Sequence, residues 1–320
     1  MPLQYFSLVI IVNYLTLTSK NANRAKGVGL TAIVNCDNGQ LVSLKAFNEE
    51  YMHDGGRASD DPSLIKPVKM GLDEIPSWNN SEIVMFPIVS SSRDHTVMYN
   101  GNKFPLDQHG IVRAMIPEIV RSTLQPDTAS VHWNYEAGTQ VDNSARHDSK
   151  PDSPGYVQLP FGFELVKTFI VNDVSVRTTL AIHNTGDTPF SYALGWHPAF
   201  TPQGSTKAGL FYYAKDSQII SLETLAQREK GSAIMLPGEN EVSYFDAISK
   251  RGLTVKGDLG SMMLWSPNPK MFCIEPITEK AEKGTLFDLS VPGTYKNSVQ
   301  PGEQREFTVE IFPTSFSSIL

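Results

Sequence analysis

Cysteine is scarce: the 320 residues hold two, Cys36 and Cys273. They form neither a disulfide framework nor the spacing of a zinc site or a redox C-x-x-C motif. They read as two reduced thiols in an intracellular protein, so the expected location is cytoplasmic. Charge is thin too. Asp, Glu, Lys and Arg make up 19%, with 27 basic against 34 acidic residues and a net charge of −7. Such a chain lacks the basic field that grips a phosphate backbone or an anionic lipid surface. Neither nucleic acid nor a membrane is therefore an expected partner. No apolar run reaches the roughly 20 residues of a membrane span. The nearest approach, Tyr5–Leu17 (YFSLVIIVNYLTL), is 13 residues long, with no Lys or Arg ahead of it. No small-x-small cleavage site follows it, as a signal peptide would require. It reads as a buried strand or an ill-fitting extension. Read as a signal segment, it would make the protein secreted, and the sequon Asn79-Asn80-Ser81 would then matter.

Nucleotide and metal signatures are missing as well. There is no G-x-x-x-x-G-K-[ST], no G-x-G-x-x-G between strand and helix, no H-E-x-x-H and no G-x-S-x-G. No cofactor and no metal is expected.

What the chain does have is punctuation. Twenty-three Gly and 21 Pro separate short segments rich in Val, Ile, Phe, Thr and Tyr, the pattern of strands and turns. Strands are expected at Leu30–Val34, Gln40–Ala46 and Glu82–Val89, and again at Phe161–Val171, Val174–His183 and Phe190–Leu194. Leu253–Lys256, Met262–Trp265, Phe272–Glu275 and Glu306–Phe312 complete the set. Asn100-Gly101 inside Thr96–Pro105 predicts a tight hairpin. One face of Ser175–Ile182 is apolar and the other polar, as in an antiparallel sheet with one covered face. Ser221–Lys230 reads as either a helix or a loop. The polar stretches Met52–Ser77 and Gly138–Pro154 read as long loops. With no linker and no repeat, the economical division is an extension over 1–27 and one large antiparallel β domain over 28–320.

Three residues stand out chemically. His197 lies in Gly195-Trp196-His197-Pro198-Ala199-Phe200, held extended by the following proline. His109 lies in Asp107-Gln108-His109-Gly110. Glu275 ends the apolar run Phe272-Cys273-Ile274-Glu275-Pro276, where burial would tune a carboxylate toward a neutral-pH base. Each also has a plain structural reading: a core histidine, a turn residue, a buried ion pair.

Six motifs in order resemble the aldose 1-epimerase (galactose mutarotase) family, nearer its short bacterial branch. They are Phe86-Pro87-Ile88-Val89; His109-Gly110-Ile111-Val112-Arg113, similar to H-G-F-A-R; and Leu159-Pro160-Phe161-Gly162-Phe163-Glu164-Leu165. Gly195-Trp196-His197-Pro198-Ala199-Phe200 resembles G-x-H-P-x-F, Cys273-Ile274-Glu275-Pro276 matches C-I-E-P, and Pro301-Gly302-Glu303 matches P-G-E. The resemblance covers roughly residues 28–315. It implies a large antiparallel β-sandwich with a sugar cleft on one sheet. It implies His197 as general acid, Glu275 as general base and His109 as a substrate-binding histidine, interconverting hexose anomers without a cofactor. The substrate would be a glucose- or galactose-type monosaccharide and the protein a monomer or homodimer.

The departures from the family are specific. Its usual arginine falls at Ser91, leaving Arg93, two residues on, as the replacement if both lie in a strand. Its aspartate is best matched by Asp246, and Arg113 is a further candidate for substrate oxygens. Ile277-Thr278 stand where Trp-Gly usually follows C-I-E-P. Two other readings keep the fold. A hexose 6-phosphate substrate would call on Arg93, Arg113 and Lys167. A non-catalytic sugar-binding protein would explain the missing arginine.

Overall fold

The computed structural model describes residues 14–19, 29–53, 81–121, 127–203, 208–213, 218–228, 232–282 and 284–315. Among them, antiparallel strands dominate and helix is confined to short turns. The expected all-β architecture is the observed one, a β-sandwich of two large sheets.

Local chemistry sets the strands. Phe163–Val171 alternates strictly between buried and partly exposed side chains, the period of a strand with one covered face. It pairs with Val176–Asn184 from Phe163↔Asn184 to Val171↔Val176. The turn between them is closed by Asn172, whose Oδ1 accepts the amides of Val174 and Ser175 at 2.9 and 2.7 Å, as asparagine turns do. Asn100 and Gly101 take φ of 48° and 79°, the left-handed pair of a two-residue hairpin, between Thr96–Tyr99 and Asn102–Pro105.

The larger sheet has nine strands, with Phe163–Val171 and Val176–Asn184 near its middle beside Gln304–Ser315 and Arg251–Gly257. The second has five, in the order Ile234–Pro237, Ser261–Asn268, Met271–Ile277, Gly195–Phe200, Glu82–Met85. A four-stranded sheet from Tyr14–Thr18 to Glu49–Glu50 flanks them. The two large sheets meet through aromatic rings: Phe272 of the five-stranded sheet lies 4.3 Å from Tyr244 and 5.2 Å from Phe211 of the nine-stranded one.

That contact separates the faces of the five-stranded sheet. Trp196, Phe200, Phe272 and Ile274 belong to the main core. Ala199, Met271 and Cys273, with Trp265 against them, form a separate small cluster. Side chains alternate along a strand, so His197, Cys273 and Glu275 lie on the outer face, away from the sandwich core.

Several expectations change in detail. The Ser221–Lys230 helix is one short turn, Leu222–Ala226, whose N-cap Ser221 accepts the Thr224 amide at 3.0 Å. Gly138–Pro154 is not structureless: Val141–Asp142 pairs with Tyr156–Val157, and Ser144–Ser149 is helical. Thr128–Tyr135 and Glu241–Asp246, unforeseen in the sequence, are strands of the nine-stranded sheet. Of the apolar run Tyr5–Leu17, residues 14–17 lie in the Tyr14–Thr18 strand, paired with Thr31–Asn35; residues 5–13 are outside the described residues. So are nearly all of Met52–Ser77 and both asparagines of the sequon. Among the described residues, no helix is long and apolar enough to cross a membrane.

Candidate active site

The strand register assembles the centre. Gly195 pairs with Ile277 and Ala199 with Cys273, which sets His197 opposite Glu275. His197 Nε2 lies 3.6 Å from Glu275 Oε1. Gly195 packs closely on both neighbouring strands: a Cβ there would sit 2.5 Å from Met85 Cε and 2.8 Å from Ile277 Cγ2. The Trp265 ring meets His197 nearly edge-on at 6.1 Å.

Both members of the pair are deeply buried. The two Glu275 carboxylate oxygens have no hydrogen-bond partner among the described residues. Burial therefore raises the Glu275 carboxyl well above its ordinary range, with Lys280 pulling the other way. Burial, and then the charge of Arg113, lowers His197 to about 3. Burial thus favours the uncharged form of each group.

His109 joins from a different element. Its ring stands nearly perpendicular to that of His197, 5.6 Å away. The Ser90 amide donates to His109 Nδ1 at 3.2 Å, and the Gln108 side-chain nitrogen lies 3.0 Å from His109 Nε2. Burial, then the proximity of His197 and of Arg113, keeps His109 well below its ordinary pKa. Asp107 anchors this turn. Its carboxylate accepts from Arg146 Nε at 2.6 Å and from Asn143 at 3.2 Å, and lies 3.1 Å from His95 Nδ1. Arg146 also reaches Gln108 Oε1 at 2.7 Å. Asp107 and Arg146 thus hold the His109 turn, and neither was a site candidate in the sequence. Arg146 sits in a stretch whose composition carries no periodic signal.

The remaining candidates lie elsewhere or are engaged. Arg113 donates to the Gln108 carbonyl at 3.2 Å; burial and Arg146 bring its pKa down to about 9, so it keeps its charge at neutral pH. Arg93 opens a 3-10 turn, Arg93–His95, and is exposed, its Nε donating to the Gly284 carbonyl at 3.0 Å. Ser91 and Arg93 are thus not in a strand, and the same-face argument for their exchange does not hold. Asp246 ends the Glu241–Asp246 strand of the other sheet, and its Oδ1 accepts from Ile248 and Ser249 at 3.0 and 2.7 Å. Lys167 is fully buried and donates to Glu82 Oε1 at 2.7 Å.

A cavity of about 670 Å³ lies at one edge of the sandwich, lined among others by Gln40, Ile83, Arg113, Trp133, Glu136 and Lys167. Its volume is that of a small-molecule pocket. Ile83 is the strand partner of His197, so the cavity adjoins the centre without containing His109, His197 or Glu275.

No protein-family model and no curated protein sequence matches this chain. Solved structures do. A galactose mutarotase related enzyme from Lactobacillus acidophilus superposes with a TM-score of 0.67 at 17% identity, over 94% of this chain and 98% of that one. A galactose mutarotase-like protein from Lactobacillus casei gives 0.65 at 14%, over 93% and 100%. An aldose epimerase homologue from C. elegans gives 0.61 at 14%, over 95% and 99%. Nearly the whole length of each structure is matched by nearly the whole of this chain, so its fold is that of the galactose mutarotase-like proteins.

Proposed function

We propose that the protein is an aldose 1-epimerase, exchanging the α- and β-anomers of an unphosphorylated hexose. The observation that carries this is His197 Nε2 at 3.6 Å from Glu275 Oε1, with the His109 ring 5.6 Å from His197. That is an acid/base pair with a second histidine beside it. Glu275 carboxylate takes the proton of the C1 hydroxyl while His197 gives one to the ring oxygen. The C1–ring oxygen bond breaks, a C1 carbonyl forms, and the sugar opens to its aldehyde. C1 turns over, and closure on its other face returns both protons. His109 binds the sugar beside the pair and steadies the ring oxygen as charge develops.

Glu275 enters this cycle as the carboxylate and His197 with the proton. Sugar hydroxyls donating to the two oxygens of Glu275 favour the carboxylate. Catalysis of this kind requires no metal or nucleotide. The thin charge of the chain suits a neutral polyol, and two reduced thiols suit a cytoplasmic enzyme. A 6-phosphate is less well served, since Lys167 is committed to Glu82 and Arg93 lies exposed against Gly284.

The test is NMR exchange or polarimetry on fresh α-glucose and α-galactose. His197→Asn or Glu275→Gln should each lower kcat by roughly 100-fold or more. Wild-type protein no faster than the double variant on either sugar, and on glucose 6-phosphate, overturns the reading and leaves a sugar-binding protein.

A further inference from the structure

The mechanism above makes no use of Cys273, yet its thiol lies on the same sheet face as the acid/base pair. It is two residues from Glu275 on one strand and faces Ala199, two residues from His197, on the next. One donor atom each from His197, Cys273 and Glu275 lies within 4.8 Å of the other two, and all three residues are buried. Both oxygens of Glu275 are buried without a hydrogen-bond partner among the described residues.

We propose that these three side chains form a binding site for a thiophilic divalent cation of the zinc type, and that the bound ion competes with the sugar. The effect on activity rests on the epimerase reading; the binding itself does not. Imidazole, thiolate and carboxylate are the donors such an ion prefers. Three protein ligands with a fourth position open is the usual form of an accessible zinc site. Tetrahedral coordination with ordinary bond lengths needs donors about 3.3–3.6 Å apart. His197 and Glu275 are already at 3.6 Å, and all three donors lie within 4.8 Å of one another, so a small inward movement completes the set. On entry the ion displaces the thiol proton and the carboxyl proton to solvent, and no electron moves. The occupied site then has neither a base for the C1 hydroxyl nor an imidazole nitrogen for the ring oxygen.

The full chain is titrated with Co²⁺ as the probe, freed of other metals. One equivalent should bring up thiolate-to-cobalt charge-transfer absorption in the near ultraviolet. Zn²⁺ should displace it, Cys36→Ala should keep it and Cys273→Ala should abolish it. In parallel, Zn²⁺ should slow wild-type anomerisation roughly tenfold or more, with recovery on chelation, and Cys273→Ala should require at least tenfold more Zn²⁺ for the same loss. If Cys273→Ala does not fold, Cys36→Ala decides, since loss of the band there assigns it to the wrong thiol. No band in wild type, or a band that survives in Cys273→Ala, overturns the site. A band with no anomerisation overturns the epimerase reading and keeps the metal site; anomerisation with no band does the reverse.

Discussion

At His109 and Gly110 the backbone takes two successive positive φ angles, 66° and 84°. A histidine in that region stores strain that its neighbours must hold. They do so through Phe86, whose amide donates to the His109 carbonyl at 3.1 Å and whose carbonyl accepts from Ile111 at 2.9 Å. The close approach needs glycine at 110, because a Cβ there would sit 2.0 Å from the Phe86 carbonyl oxygen. That atom is backbone and cannot swing away. Gly110→Ala is therefore expected to displace His109, lowering kcat/KM at least tenfold and stability by about 1–3 kcal/mol. Gly101→Ala is the control. Its φ is 79°, but nothing lies within 4 Å of the added carbon, so it should lose stability and keep activity. Equal losses of activity in the two variants, measured by NMR exchange beside thermal melts, would show that the clash at Phe86 is irrelevant. The H-G pair was legible in the sequence as a motif. Its reason was not, because the obstructing carbonyl is 24 residues away.

One scale up, a turn and a helix are joined by Asp107. The Asp107–His109 turn and the Ser144–Ser149 helix meet where Arg146 and Asn143 converge on the buried carboxylate. Burial alone would raise its pKa. Arg146, the Gln108 amide and the Asn143 side chain outweigh that and hold it below its ordinary value of 3.8. A depressed carboxylate contributes stability above its unfolded pKa and loses it as pH falls through the folded one. The contribution is thus complete at neutral pH and fades in the acid range below about pH 4. Asp107→Asn should destabilise by roughly 1–3 kcal/mol at pH 7. The gap to wild type should narrow between about pH 4 and pH 2 in urea melts. A gap independent of pH would rule out ionisation as the source. Hairpins and alternating strands could be read from the chain because their signals are local. This junction could not, since Arg146 lies in a polar stretch and finds its partner 39 residues back only in the folded chain.

Across the whole molecule, one carboxylate ties three sheets. Glu82 belongs to the five-stranded sheet. Its Oε1 accepts from Lys167 of the nine-stranded sheet at 2.7 Å and from the Leu41 amide of the four-stranded sheet at 2.6 Å. Its Oε2 accepts from the indole of Trp196, the residue before His197. Lys167 occupies an inward position of its strand, with its ammonium near the faces of Phe169 and Trp133 at 4.9 and 5.4 Å. In the sequence that lysine is one of three basic candidates for a 6-phosphate, because the sequence alone does not say what faces it. A buried pair of this kind loses most when one member is removed, since the other charge is left in the core. Glu82→Ala should therefore cost roughly 3–5 kcal/mol, seen as an earlier urea midpoint. Replacing both, as Glu82→Leu with Lys167→Met, should recover much of that loss, because no buried charge remains. Activity separates the two roles of the staple. The double variant keeps apolar contact between sheets but gives up the indole hydrogen bond that sets Trp196. If Trp196 carries its neighbour into register, the double variant melts near wild type yet anomerises more slowly. A double variant as unstable as Glu82→Ala would instead mean that the hydrogen bonds to Leu41 and Trp196, rather than the charge pair, hold the sheets together.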